Sequence, residues 1–410
     1  MLEKFESKKI KKQRTYQIIL ILLGIFIIFV SYKNISSQDY YVMDESGEAI
    51  LYTGKDAIKS EKIDREELYG REIDNSLIDE YLAIHHDVID GKYNNSDIVN
   101  YTKYEQKYND IMILLAKSYS SMNNFDLNIS DKLMPGQAGN FYENRNEQID
   151  IYLNKTEFKN INPDKKDIEF LMNKTNDFKA PLKYKYYRGW EVLLSDFLIN
   201  SIFFGIMSMI VASTIFSMDY ENNMIEISHT TANFGKKLSK IKCKLGIIYT
   251  LKLFLIPHLI YALIIFFFYG IDGFNSPIQL CQIYWESPYN LTFLQAYIII
   301  LLIATLSTIG LDLIVMLTSI ISKRSIISIL TGFVLLFSPI VIYNNAGLFV
   351  KKLLGISAIN IYNAESLLIN YFPVYNFFGL RCLQIYSVVP IIIFVNIVLF
   401  GGIYYRSKKI

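Results

Sequence analysis

Six long apolar stretches, separated by polar segments, dominate the pattern of residues along the chain. A membrane-spanning helix needs roughly 20 mainly apolar residues, because the hydrocarbon core is about 30 Å thick and a helix rises about 1.5 Å per residue. The stretches that meet this requirement are residues 16–32, 191–218, 245–269, 293–321, 325–343 and 388–405. The pattern predicts an α-helical polytopic membrane protein with six transmembrane helices. Loops at 270–292 and 344–387 connect the later spans, and short segments at 1–15 and 406–410 flank the set.

The first apolar stretch also has the basic flank of a secretory signal peptide. However, the residues after it read KNISSQDYY, which is not a small-residue cleavage pattern, and the apolar run is long for a signal peptide. We therefore interpret it as a span that stays in the protein.

Residues 33–190 are polar and long enough to form one small domain. Asp74 precedes an amphipathic helical pattern as a predicted N-cap, and Tyr104, Ile111 and Leu115 recur at helical spacing. The stretch YYVMDESGEAILYTG alternates as a short hairpin does. These patterns predict a mainly helical α+β domain between the first and second spans.

Charge divides the chain into the same two parts. Overall 52% of the 410 residues are hydrophobic and 20% are charged, with a formal net charge of +2. The stretch from Lys33 to Arg188 holds 21 of the 41 basic residues and 28 of the 39 acidic ones. The near-neutral total therefore conceals an acidic domain attached to an apolar membrane part.

Basic residues in short loops predict the orientation, because they favour the cytoplasmic side. Six basic residues precede the first span and five lysines lie at 219–244, whereas 270–290 contains no Lys or Arg. This predicts cytoplasmic termini and an extracellular domain at 33–190, in the plasma membrane. Lys351, Lys352 and Arg381 on the outer side run against the trend.

The charged segment FSMDYENNMIEISHTTANFGKKLSKIKCK links the second and third spans. Asp219 and Glu221 fall where a helix dipole favours acids, and Met224 and Ile225 can face the bilayer surface. The residues alone are compatible with a short interfacial helix joined to both spans, or with a plain cytoplasmic loop whose lysines reach the lipid head groups.

The order of segments resembles the permease subunit of a bacterial type-2 ABC exporter. Phe216, Glu221, Lys237 and Lys244 occupy the positions of the family pattern around the end of the second span and the start of the third. DESGEAILYTGKDAI and FYENRNEQI resemble motifs of a subfamily with a large extracellular domain after the first span.

The resemblance implies an export subunit that works with a separate ABC ATPase, in two copies, and with a second permease chain in the bilayer. The coupling helix that contacts the ATPase would comprise Asp219, Tyr220, Glu221, Asn222, Met224, Ile225 and Glu226, with Glu221 as the main polar contact. The sequence has no GxxxxGK[ST] phosphate loop, so we expect no cofactor in this chain, with ATP and Mg²⁺ bound by the partner.

Polar residues at membrane depth are candidates for a translocation path or gate, because they are costly to insert. These are Asp312, Asp196, Asn200 and His258. Structural pairing between spans, or an interfacial position, is the alternative for Asp312, Asp196 and Asn200. The interrupted stretch at 363–386 resembles the short re-entrant helices of this exporter class, although an interfacial helix fits equally well.

Other functions fit the sequence less well. A membrane receptor with a ligand-binding extracellular domain is the alternative, and an intramembrane enzyme would need a catalytic constellation that the sequence lacks. His85 and His86 are adjacent on a predicted helix and point about 100° apart, which favours a solvated face over a metal site. Nothing indicates nucleic-acid binding. The substrate stays open among peptides, lipids, drugs and ions.

Overall fold

A computed structural model describes residues 2–93, 95–122, 124–154, 163–222, 234–343 and 346–407. It contains six helices that are long and apolar enough to cross a membrane, which confirms the predicted α-helical membrane architecture. These spans are Arg14–Ser36, Phe197–Glu221, Lys237–Tyr269, Phe293–Ser322, Ser325–Tyr343 and Gln384–Arg406.

Several helix ends differ from the sequence prediction. The helix of the second span runs from Phe197 to Glu221, so Asp219 and Glu221 lie in its last turn and not in the first turn of a following helix. The third span belongs to a helix that begins at Phe234, so the lysines at 237–244 are helical and continuous with the span. The helix of the sixth span likewise begins earlier than predicted, at Gln384 instead of residue 388. Both extensions carry polar residues that a hydropathy pattern does not count.

The second and fourth spans form the centre of the bundle. In the 18-residue apolar part of each span, 72% of the residues are buried in the fourth and 61% in the second, against 28%, 22% and 22% in the first, fifth and sixth. The fourth helix starts with a capping box between Thr292 and Gln295, which satisfies the free backbone N–H groups of its first turn. The outer three spans expose apolar faces suited to lipid or to another chain.

The domain between the first two spans, called the polar domain below, combines a hairpin with short helices. Strands β1 (Asp39–Met43) and β2 (Ala49–Thr53) pair antiparallel. The helices of three or more turns are Gly54–Asp64, Asn75–Ile89, Asn109–Tyr119, Phe141–Asn154 and Lys165–Asn176. Asp74 caps the second of these by accepting from the Leu77 N–H, as predicted. Short helical turns lie at Arg65–Leu68, Asp97–Asn100, Tyr101–Glu105, Gln106–Tyr108 and Ile129–Lys132.

The polar domain rests on the loops at one end of the bundle, called the domain end; the opposite end is called the elbow end. The buried Arg145 donates from Nε to the Trp285 carbonyl at 2.8 Å, and its guanidinium lies 5.3 Å from the Trp285 ring centroid. Lys117 pairs with Glu286 at 3.1 Å. These contacts fix the domain to the loop between the third and fourth spans.

Short elements fill the domain end between the fifth and sixth spans. They comprise helices Leu348–Leu354, Ala358–Tyr362 and Ala364–Ile369, followed by strands β3 (Tyr375–Phe377) and β4 (Leu380–Cys382). Helix Arg188–Ser195 leads from the polar domain into the second span. Arg381 on β4 donates to Asp167 at 2.8 Å, which adds a further tie to the polar domain.

Candidate functional site

The elbow consists of the end of the second span (219–222) and the first turns of the third (237–244). Asp219 lies at its centre and is 8% exposed. It forms ion pairs with Lys242, which is 3% exposed, and with Lys9 of the N-terminal helix. A buried ion pair tolerates the loss of one partner poorly, since the other charge is left without compensation. Asp219 therefore holds three helices together.

The N-terminal helix Leu2–Lys11 packs along the elbow through further contacts. Tyr249 donates to the Ser7 carbonyl at 3.1 Å, Lys244 pairs with Glu3 at 2.8 Å, and Ile10 is buried. The sequence pattern did not indicate this helix, because the stretch has few apolar residues.

Glu221, the predicted polar contact for a partner, bonds within the chain. Its Oε1 accepts from the Ser325 N–H at 2.7 Å and from the Ser325 hydroxyl at 2.8 Å. A carboxylate at a helix N-terminus satisfies free N–H groups and the helix dipole. Glu221 therefore ties the elbow to the start of the fifth span, while its side chain stays exposed at the surface.

The neighbouring elbow residues complete this surface. The Lys323 ammonium lies 5.4 Å from the centroid of the Tyr220 ring. Asn222 caps the second span with its backbone N–H and is exposed. The remaining predicted coupling residues, Met224, Ile225 and Glu226, lie outside the described residues.

Asp312 occupies the centre of the bundle with no exposed surface. Its Oδ2 accepts from the Ser208 hydroxyl of the second span and from the Thr250 hydroxyl of the third, the latter at 2.6 Å. Among the described residues nothing hydrogen-bonds Oδ1. The carboxyl group therefore joins three spans and keeps one unpartnered oxygen.

His258 also belongs to the third span and lies about two helical turns nearer the domain end than Thr250. Its Nε2 is 3.1 Å from the Ser201 hydroxyl, and its Nδ1 is 2.9 Å from the Phe254 carbonyl oxygen. Asn200 is buried beside Ser201, and its Oδ1 has no partner in the described part of the chain. Both ring nitrogens of His258 are occupied, which indicates a role in span packing.

Asp196 connects the first three spans by hydrogen bonds at the domain end. It accepts hydrogen bonds from Asn34 and Tyr261, and Asn34 also donates to the Tyr261 hydroxyl at 2.9 Å. The Tyr269 hydroxyl donates to the Asn34 carbonyl at 3.0 Å. The structure thus separates the predicted path residues: His258 and Asn200 lie between Asp196 and Asp312.

A cleft of about 1010 Å³ opens between the polar domain and the bundle. Its apolar wall comes from the second and fifth spans, including Ile202 and Ile340, and its polar wall includes Lys117, Glu286 and Asn360. Helix Ala358–Tyr362 forms part of the lining. A cleft of this size accommodates a drug-sized or larger amphiphile.

The helix Ala358–Tyr362 enters the bundle beside this cleft. Tyr362 is fully buried, and its hydroxyl lies 2.7 Å from the Thr308 hydroxyl in the middle of the fourth span. Its ring stacks 5.6 Å from the ring of Phe254. The helix Ala358–Tyr362 is therefore inserted among the spans. It precedes the stretch 363–386, for which a re-entrant or an interfacial helix was predicted.

Three buried charged residues and the half-buried Arg188 join the base of the polar domain to the second span, and the sequence pattern did not indicate them. Arg65 pairs with Glu61 at 3.0 Å and with Asp110; Arg188 pairs with the same two acids at 3.0 and 3.1 Å. Burial would raise the pKa of Asp110, but the two guanidiniums outweigh it and hold the pKa below its usual value. No motif marks these residues, because they are up to 127 positions apart.

His85 lies in an ion-paired setting instead of on a solvated face. Its Nδ1 is 2.5 Å from Glu105 and its Nε2 is 2.8 Å from Asp131. Burial would lower the pKa of His85, but these two hydrogen bonds outweigh it and raise the pKa above its ordinary value. The described residues contain no cluster of three or more metal-ligating side chains.

Comparison with known proteins identifies no family for this chain. No protein-family model, no curated protein and no solved structure matches the chain.

Proposed function

We propose that the chain is the permease subunit of a bacterial ABC exporter, driven by a separate ATPase. The observation that carries the proposal is the elbow, where an exposed surface at 221–222 is tied by named contacts to four membrane helices. Asp219 links the second and third spans through Lys242, and Glu221 reaches Ser325 at the start of the fifth span. The turn that holds Lys323 and Ser325 also ends the fourth span.

This arrangement suits the transmission of force. A partner that presses on the elbow moves the second and third spans as a unit, because the buried Asp219 charge cannot leave Lys242 without a large electrostatic cost. The central position of the second and fourth spans then carries the displacement to the middle of the bundle. In this proposal the elbow is cytoplasmic and the polar domain is extracellular.

The cleft at the domain end is the proposed substrate exit or binding chamber. It combines apolar walls from the spans with the Lys117–Glu286 pair of the domain interface. Tyr362 is buried on the helix that lines the cleft, and in this proposal movement of that helix opens or closes a route to the bundle centre. Two ATPase copies and a second permease chain would complete the transporter, with ATP and Mg²⁺ held by the ATPase.

Purification of the tagged chain from its native membrane tests the proposal. We expect a stoichiometric partner with a phosphate-binding loop and vanadate-sensitive ATP hydrolysis. A complex with no ATP-hydrolysing protein, isolated in mild detergent, would contradict it. A receptor instead predicts association with a signalling protein.

Glu221→Lys tests the contact surface within that complex. The reversed charge is expected to lower coupled ATP hydrolysis by at least tenfold, because it removes a charge-assisted contact. Ser325→Ala is the matched control, since it removes the Ser325 hydroxyl bond to Glu221 and preserves the carboxylate. Equal loss in both variants would mean that Glu221 acts only as a helix cap.

A further inference from the structure

No cation among the described residues pairs with the Asp312 carboxyl group. Among the described residues, its hydrogen-bond partners are the hydroxyls of Ser208 and Thr250, both on Oδ2. Its Oδ1 is buried and unpartnered. An ionised carboxylate in such a place retains its full charge in an apolar medium, and this costs far more than burying a neutral acid.

The described groups that face Asp312 from the neighbouring helices do not compensate the charge of an ionised carboxylate. The inserted helix contributes Tyr362, whose hydroxyl is bonded to Thr308. The third span contributes His258, whose ring nitrogens lie beside Ser201 and the Phe254 carbonyl. Asn396 of the sixth span donates to the Leu306 carbonyl. The charged Asp219 lies 11 residues beyond Ser208 in the second span, about 16 Å along the helix.

Access to Asp312 differs between the two ends of the bundle. Toward the elbow end, Met316 packs against Gly246, where an added Cβ would lie 2.5 Å from its Sδ, and Ile215 closes the same layer. Toward the domain end, the Tyr362 and Thr308 hydroxyls lie one helical turn away, since Thr308 precedes Asp312 by four residues. The helix that carries Tyr362 also lines the open cleft.

We propose that Asp312 is a proton-binding site that is loaded from the cleft at the domain end. In the closed bundle Asp312 is a neutral carboxylic acid. When the inserted helix moves and water reaches Oδ1, the acid transfers its proton to that water, leaving a hydrated carboxylate and a hydronium ion in the cleft. Reclosure takes one proton back. Movement of the bundle is thereby linked to proton binding, independently of what drives it.

Infrared difference spectroscopy of the full chain in lipid nanodiscs tests the protonation state. The spectrum of the wild type minus that of Asp312→Asn should show one buried carboxylic-acid C=O band at neutral pH. Asn has the shape of the neutral acid, so the variant is expected to fold. A difference spectrum with carboxylate bands alone would overturn the proposal.

The direction of access is tested by deuterium exchange of the same band. Tyr362→Phe removes the hydroxyl and keeps the ring, and should change the exchange rate at least tenfold. Tyr297→Phe is the matched control, because this buried tyrosine hydroxyl lies 3.5 Å from the His258 carbonyl, away from Asp312. Equal exchange rates in wild type and Tyr362→Phe would overturn loading from the cleft.

Discussion

Replacement of Asp219 by Asn tests the elbow most strongly. The substitution preserves the shape of the side chain but removes the carboxylate that pairs directly with the ammonium of Lys242, which is 3% exposed. Removing one partner of a buried ion pair costs about 3–5 kcal/mol. An exposed pair is worth less than about 1 kcal/mol. The Asp219 variant should therefore loosen the elbow far more than any surface change nearby.

Cys243 provides the assay, because it follows Lys242 and has no exposed surface. Its alkylation by a maleimide reports how often the elbow opens, and Cys281, buried at the domain end, serves as the internal reference. A cost of 3 kcal/mol or more raises the open population by roughly 10²-fold. Mass spectrometry of the two cysteine-containing peptides measures both rates in the same sample.

Two further variants complete the test. Glu3→Gln breaks the exposed pair with Lys244 and should change the Cys243 rate by less than about fivefold. Asp219→Leu combined with Lys9→Met and Lys242→Met removes all three charges of this cluster and should recover most of the protection. Unchanged Cys243 labelling in Asp219→Asn would refute the view that this pair holds the elbow closed.

Two other predictions concern the polar domain and the inserted helix. Because the folded pKa of His85 is raised, its ion pairs stabilise the domain fully below about pH 6.5 and less as pH rises through the folded pKa. The melting temperature of His85→Gln should therefore lie below that of wild type at pH 6 and approach it at pH 9; a constant difference would contradict the linkage. Gly205→Leu should destabilise the bundle by about 1–3 kcal/mol, because an added Cβ lies 2.8 Å from the Tyr362 hydroxyl. Gly24→Leu is its control in thermal unfolding, since nothing lies within 4 Å there; equal losses would contradict the packing argument.

The sequence predicts the spans well because hydrocarbon solvation acts on each residue nearly independently of its partners. It also predicts local caps such as Asp74, because the hydrogen-bond donor and acceptor are only three residues apart in the chain. The helical start of the third span was missed because its lysines lower the hydropathy, although they are good helix formers.

The partners of the buried charges depend on how distant elements pack, so one sequence cannot supply them. Asp312 stands out as a charge among apolar residues, yet Ser208 and Thr250 look like ordinary small polar residues of two other spans. Arg65 and Asp110 read as members of an acidic, solvated domain until the fold brings them together.

Site-specific photocrosslinking from Asn222 tests the central claim most directly. This residue ends the second span and is exposed at the elbow. A benzophenone amino acid placed there, in the intact native membrane, should form an adduct with an ATP-binding protein. The same probe at Leu380, exposed at the domain end, should not. An elbow probe that links only to extracellular proteins, or gives the same partners as Leu380, would contradict the account.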